Sequence, residues 1–284
     1  MHELLARPAA QDLHDQVLGY RGFRFDVIGT RRRLLVPDGV VKVMLGFGDP
    51  LRVWDSCDPT RSYSGSSLAN GVRTTSATGE HTGLIHGVTV LLTPLAAHRL
   101  FKVPMSEWAD LSVPPEEFRQ APWADLPVRL AQIPDWGGRF ALLDRVLRTA
   151  LDSGPDNSPE VTWAWRRIQS TCGRIGIEDL AAQTGWSRRH LERRFRCQIG
   201  LTPKEAAQVM RLQAALRLKE AGVGWADAAT QAGYHDQPHF GRVFKAMTGR
   251  TPTAFHADRT AASLSDAQDF VAGRVTSAVL AHHS

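Results

Sequence analysis

The second half of the chain contains one sequence pattern twice, and this repeat limits the folds open to it. The copies occupy residues 177–195 and 225–244. In each copy an Ala stands four residues before a Gly, and a Phe is followed by Gly five residues later and by Pro eight residues later. The two central glycines, Gly185 and Gly233, are 48 positions apart. Such self-similarity predicts two copies of one supersecondary unit.

Each copy has the small residues that a helix-turn-helix requires. Ala181 or Ala229 leaves room for a second helix to cross the first at a steep angle. The Gly that follows can adopt a positive φ, which ends the first helix and turns the chain at little steric cost. The repeat therefore predicts two helix-turn-helix units.

The second helix of each unit has a predicted cap and a predicted buried face. Ser187 and Asp236 stand at the N-cap positions, where a side-chain oxygen accepts hydrogen bonds from the exposed amides of the first turn. In each copy a pair of apolar residues four positions apart follows, ending in Phe195 or Phe244, and this spacing places both on one helix face. The opposite face is polar and free to enter a groove.

A long helix is predicted between the two copies, over residues 203–221. It starts with Pro203, which suits a first helical position, and stops before Gly222. A helix of about 19 residues spans roughly 28 Å. This is close to one turn of DNA, about 34 Å, so two units held by such a rod can reach successive major grooves.

The polar faces predict which residues contact DNA. Arg pairs with guanine, Glu accepts from cytosine and Gln suits adenine. We expect Arg189, Glu192 and Arg193 to contact bases, with Arg188 and Arg196 nearer phosphates. Any single Arg has the alternative of a phosphate or solvent contact, because phosphate contacts outnumber base contacts. The predicted set is Ser187, Arg188, Arg189, Glu192, Arg193, Arg196, Asp236, Gln237, His239 and Arg242.

Charge is distributed unevenly along the chain. Residues 160–259 contain 16 Lys and Arg against 9 Asp and Glu, a net charge of +7, whereas the remainder has a net charge of −2. A basic module attached to a near-neutral one suits a DNA-binding half joined to a sensing or dimerising half.

The first half has the pattern of short strands and loops. Residues 21–28, 40–47 and 88–92 are rich in β-branched residues and are bounded by turn signals such as Pro37-Asp38-Gly39. Residues 62–87, rich in Ser, Thr and Gly, are expected to form edge strands and long loops. Short helices are expected from Leu95 onward, and residues 140–151 have a clear helical face.

Residues 163–256 resemble the DNA-binding domain of AraC/XylS-type transcription regulators. The run 233–245 with Thr251-Pro252 accounts for most of this resemblance, and residues 36–45 and 92–111 resemble the small β-rich sensor domains of some members. The resemblance implies transcriptional control through double-stranded DNA, often by activation through RNA polymerase. It also implies a homodimer and a small-molecule effector.

These observations predict an α+β chain with four parts. Residues 1–151 form a β-rich sensor-like or dimerisation domain with short helices at its end, and residues 152–159 form a linker. Residues 160–259 form an all-α domain with two helix-turn-helix units joined by a long helix. Residues 260–284 are expected to be a frayed C-terminal tail.

Two other classes of protein share parts of this pattern. In the first, a catalytic N-terminal domain is attached to a DNA-binding module. His81, His86 and His98 fit no metal-ligand spacing, and Cys57 lacks the neighbouring cations that activate a thiol, so no catalytic residue, metal or cofactor is predicted. The second, an architectural protein with little sequence preference, is disfavoured by the modest charge and by the groove-facing Glu and Gln.

The chain shows no secretory signal and no apolar run long enough to cross a membrane. Its three cysteines have no C-x-x-C spacing, which disfavours a disulfide framework. A cytoplasmic protein is expected.

Overall fold

A computed structural model describes residues 2–118, 122–261, 271 and 273–280. The first half of the chain forms an antiparallel sheet, as the sequence predicts. Its strands are β1 (His2–Arg7), β2 (Val17–Leu35), β3 (Val41–Gly46), β4 (Leu51–Asp55), β5 (Ser62–Gly65), β6 (Leu68–Asn70), β7 (Ala77–Leu92) and β8 (Ser112–Val113).

The sheet is organised around its two longest strands. β2 and β7 pair over most of their length, from Tyr20 opposite Val90 to Leu34 opposite Thr78, with an irregularity between Val27 and Arg31. The second half of β7 also pairs with β3, and its first half pairs with β4. The sheet order is β1-β2-β7-β3-β6-β8, so β7 is a central strand.

This position of β7 corrects the expectation for residues 62–87. The scarcity of large apolar residues there predicts edge strands and loops, yet Ala77 onward belongs to the central strand. The physical reason is that Gly79, Glu80 and His81 line a cavity instead of packing in a core. The polar composition of the first half of β7 therefore reflects the cavity that it lines and not a position at the edge of the sheet.

Ten helices cover most of the rest of the described chain. They are α1 (Pro94–Phe101), α2 (Leu126–Gln132), α3 (Trp136–Asp152), α4 (Pro159–Ser170), α5 (Ile177–Thr184), α6 (Arg188–Ile199), α7 (Pro203–Glu220), α8 (Trp225–Gln231), α9 (Gln237–Thr248) and α10 (Pro252–Ala261). The predicted helical face in α3 is confirmed, because Phe140, Leu143, Leu147 and Leu151 are all buried. Within the described residues no helix is long and apolar enough to cross a membrane.

The end of the chain differs from the expected frayed tail where it is described. Residues 277–279 form β9 (Ser277–Val279), which pairs with Arg33, Leu34 and Leu35 of β2. Val275 and Ala278 are buried, so small and weakly patterned residues here fill a gap between sheet and helices. Residues 262–270, 272 and 281–284 of the expected tail lie outside the described residues.

A continuous apolar core joins the sheet to the helices. The side-chain amide of Gln213 in α7, 2% exposed, donates to the carbonyls of Pro37 and Val275 and accepts from the Val275 amide. Since a buried amide without partners would be costly, these bonds fix α7 against both the turn after β2 and the segment before β9.

Candidate DNA-binding interface

The first helix-turn-helix has the geometry that the repeat predicts. α5 ends at Gly185, whose φ of +70° is the left-handed conformation expected at a helix C-terminus. Ser187 caps α6, and its side chain accepts a hydrogen bond from the His190 amide at 3.3 Å. Leu191 and Phe195 are fully buried, so α6 packs through the predicted face.

The second unit repeats this arrangement. Gly233 has a φ of +85° in the turn after α8. Asp236 caps α9, with its carboxylate accepting from the His239 amide at 2.6 Å. Phe240 and Phe244 are buried and lie against Trp225 of α8, with ring centroids 5.6 and 5.8 Å from the indole. Both predicted caps and both predicted packing faces are therefore confirmed.

The two units are joined by α7, which is capped firmly. Thr202 accepts from the Glu205 amide, and the Glu205 carboxylate accepts from the Thr202 amide at 2.7 Å, forming a capping box. Most of α7 is buried on every side, so it forms a central rod around which both units pack.

The outer face of α6 is strongly basic. Arg188, Arg189, Arg193 and Arg196 are exposed, and Glu192 is half-buried among them. Arg188 donates to Glu192 at 3.0 Å and to Glu178 of α5 at 2.9 Å. The bond to Glu192 raises the pKa of Arg188 above its ordinary value, so this guanidinium stays charged. The predicted α6 residues thus share one accessible surface.

The outer face of α9 is smaller and less charged. Gln237 and Arg242 are exposed as predicted. His239 is half-buried, its ring packs edge-on against Tyr234, and its Nδ1 has no partner among the described residues. Burial raises the pKa of Tyr234 to about 12, so the phenol beside His239 stays neutral. His239 therefore belongs partly to the packing of the unit.

Two residues outside the predicted set also border these faces. Lys245 is exposed on α9, three positions after Arg242. This helical spacing would have been a sufficient signal to include Lys245 in the predicted set. Ser106, from the first half of the chain, lines a cleft with Arg189, Arg193 and Arg196. No local pattern marks Ser106, because only the tertiary fold places it there.

A second candidate site is a cavity of about 150 Å³ inside the sheet. Its wall is mostly apolar. Its charged lining consists of four cations, Arg21, Arg31, Arg33 and Lys42, and one carboxylate, that of Glu80. His81 also lines it, and burial together with Arg33 and Arg31 lowers the pKa of His81 to about 4. The apolar wall residues include Phe23, Phe25, Leu35, Met44, Leu51, Val53, Leu68 and Ile85.

The remaining metal and nucleophile candidates, His86, His98 and Cys57, lie apart from both sites. His86 packs between Phe47 and Trp136, and His98 bonds to Asn157 at 2.9 Å. Burial and the nearby Asp55 raise the pKa of the Cys57 thiol, which disfavours the reactive thiolate. In the described part of the chain, no three His, Cys, Asp or Glu side chains come together as a metal site.

Two capped helix-turn-helix units around a central helix define the class of this protein, and a helix-turn-helix domain model matches residues 180–258. YbfI of Bacillus subtilis, an uncharacterized HTH-type transcriptional regulator, is 36% identical over 104 residues, which are 34% of this chain and 38% of YbfI. The probable transcription factor PqrA of Proteus vulgaris is 33% identical over 99 residues, 34% of this chain and 80% of PqrA. The chain belongs to the AraC-type helix-turn-helix family of transcription regulators.

The chain spans well under half the length of some relatives, including YbfI. Among solved structures, ToxT from Vibrio cholerae is similar with a TM-score of 0.45 and 13% identity, covering 82% of this chain and 96% of ToxT.

Proposed function

We propose that this protein is a sequence-specific transcription regulator that contacts two successive major grooves with α6 and α9. The observation that supports this most directly is the face of α6, where four exposed Arg side chains and one Glu surround a capped helix start. Arg and Glu can each form hydrogen bonds to base edges, and the exposed Arg residues can also neutralise phosphates.

The contacts divide between bases and backbone as follows. Arg189, Glu192 and Arg193 contact bases, and Arg188 and Arg196 contact phosphates. On α9, Gln237 and Arg242 contact bases, with His239 contributing less because it is half-buried. The caps Ser187 and Asp236 hold the first turns of the two helices at the DNA.

The test is site selection from a random duplex library with the full chain at stated salt. Enrichment of two short blocks about one helical turn apart is the expected result. A single block, or no enrichment, contradicts a two-unit reader. Repeating the selection with Arg193→Gln and with Arg242→Gln assigns each block to one helix, since each variant should relax only its own block.

We also propose that the first half of the chain, residues 1–151, binds an effector in the sheet cavity, with residues 152–159 as the linker and 160–259 as the DNA-binding domain. An apolar wall with several cationic groups suits an apolar molecule that has one anionic group. Binding of such a ligand should be lost in Val53→Arg, which fills the cavity, and kept in an exposed control such as Arg167→Gln.

Family membership supports three further proposals: activation through RNA polymerase, a homodimer, and a cytoplasmic location where the DNA lies. Light scattering with and without DNA tests the dimer. Against the alternative of a catalytic N-terminal domain stands the raised pKa of the Cys57 thiol, which disfavours its use as a nucleophile.

A further inference from the structure

A cavity of about 200 Å³ lies where the segment before β9 meets α4 and α7. Two guanidiniums line it, Arg217 from α7 and Arg274 from the C-terminal segment. The rest of the lining is neutral and includes Gln169 of α4, Met210 of α7 and Cys172. The cavity is separate from the exposed faces of α6 and α9 and from the sheet cavity.

Neither guanidinium forms an ion pair with a carboxylate of the described residues. Among the described residues, Arg217 donates to the Gly273 carbonyl at 3.3 Å and to the Cys172 sulfur at 3.4 Å, and both acceptors are neutral. Arg274 donates to the main-chain carbonyl of Asp38. The carboxylate of Asp38 is already bound by the Lys42 ammonium.

Within the described part of the chain, neither charge is therefore matched by a carboxylate of its own, although Asp38 attracts Arg274 through space. Burial lowers the pKa of Arg274 below its ordinary value, Asp38 opposes this and Arg217 adds to it. Like charges repel one another, so an anion between the exposed Arg217 and the partly buried Arg274 lowers their mutual repulsion. The side-chain amide of Gln169, which has no hydrogen bond to another described residue, offers a further donor at the same cavity.

We propose that this cavity binds a small dianion, a phosphomonoester or a dicarboxylate, between the guanidiniums of Arg217 and Arg274. Guanidinium forks match carboxylate and phosphate oxygens, and Met210 provides an apolar wall for a short carbon skeleton. The bound anion bridges α7 and the segment that leads into β9, so it holds that segment on the central helix.

The experiment is calorimetric titration of the full chain with inorganic phosphate, glycerol 3-phosphate and succinate at constant ionic strength. Separate titrations with the phosphate compounds and with succinate show whether the cavity binds a phosphomonoester or a dicarboxylate. Saturable binding is expected, and it should weaken about tenfold or more in Arg217→Gln and in Arg274→Gln, because each removes a charged hydrogen-bond donor. Arg167→Gln, an exposed Arg of α4 outside the cavity, is the matched control and should bind as the parent does.

The melting temperature without anion shows whether each variant is folded. If Arg274→Gln is unfolded, Arg217→Gln alone tests the proposal, because the Arg217 side chain is exposed and weakly bonded. Absence of saturable binding, or equal binding by parent and both variants, overturns the proposal. A fall in the salt dependence of DNA affinity in both variants also overturns it, because the pair would then contact DNA phosphates.

Discussion

Arg188 and Glu192 form an ion pair along one side of α6, with Nε and Oε1 3.0 Å apart. Glu178 of α5 holds the same guanidinium from the other side, with Nη1 and Oε1 2.9 Å apart. Both acids orient Arg188, but only Glu192 lies on the face that we assign to bases. Substituting each in turn separates these two roles.

We expect Glu192→Gln to lose discrimination at a cytosine position, by about 1–3 kcal/mol, and to gain affinity for unrelated DNA at low salt. The physical reason is that the negative charge is lost and one acceptor oxygen is replaced by an amide NH2 donor, which cannot accept from the cytosine amino group. Anisotropy with matched and substituted duplexes over a salt series measures both effects. Glu178→Gln is the control, since it also removes an ion pair to Arg188 but lies outside the face that we assign to bases. Equal loss of discrimination in the two variants would show that Glu192 does not contact a base.

Arg193→Gln should weaken binding to the selected site by about 1–3 kcal/mol and relax its preference at one base pair. Arg193 is exposed in the middle of α6, where a guanidinium can reach a guanine edge. Arg167→Gln removes an exposed charge from α4 instead and should leave specificity unchanged. A uniform loss over all sequences in Arg193→Gln would indicate a phosphate contact.

Removing either cap should destabilise the protein by about 1 kcal/mol, as is usual for N-cap substitutions. Ser187→Ala and Asp236→Ala leave the first amides of α6 and α9, respectively, without their side-chain acceptor. Denaturant unfolding measures the loss, and Ser187→Thr, which retains a hydroxyl, should recover most of it. Stability unchanged in both Ala variants would count against the capping roles.

Gly200→Ala should destabilise the protein more than Gly185→Ala. Both glycines have a positive φ, +98° and +70°, so both substitutions strain the backbone. A Cβ at position 200 would also lie 2.7 Å from Val72 Cγ2 and 3.0 Å from the Met105 carbonyl, whereas one at position 185 meets nothing within 4 Å. The difference in unfolding free energy, which we expect to be about 1–3 kcal/mol, reports overpacking between the two halves. Equal losses would mean that these halves separate in solution.

Acid should destabilise the protein partly through His81. Its pKa is about 4 in the folded chain, below the ordinary value of 6.5, so between these pH values the unfolded chain binds a proton that the folded chain does not. Stability is therefore unaffected above pH 6.5 and falls as the pH drops towards 4, by at most about 1.4 kcal/mol per pH unit for this one group. His81→Gln should show a flatter fall in urea titrations over this range. If the stabilities of the parent and of His81→Gln fall in parallel over this pH range, the His81 side chain is exposed to solvent and its pKa is not lowered.

The C-terminal half was predictable because its determinants are local. Ala181, Gly185 and Ser187 lie within seven residues of one another, and helical spacing assigns their neighbours to a face. Arg194, which is not in the predicted set, donates to Ser158 at 2.9 Å.

The sheet was less predictable because its partners are distant in sequence. Tyr20 pairs with Val90, and no local pattern in either segment encodes that register. Ser277 returns to Arg33 across most of the chain, with a bond of 3.1 Å from Arg33 Nη1 to its hydroxyl. Cavities pose the same difficulty, since polar residues that line one look like loop residues in sequence.

The C-terminal ends of α6 and α9 are attached to the sheet half. The turn after α6 packs at Gly200 against Met105 and Val72, and the Met247 carbonyl near the end of α9 accepts from the Ser76 amide at 2.7 Å. The separation of the two helices is thus fixed from outside the DNA-binding units as well as by α7. We therefore expect the number of base pairs between the two blocks of an operator to depend in part on the packing at Gly200 and at Ser76, away from the outer faces of α6 and α9.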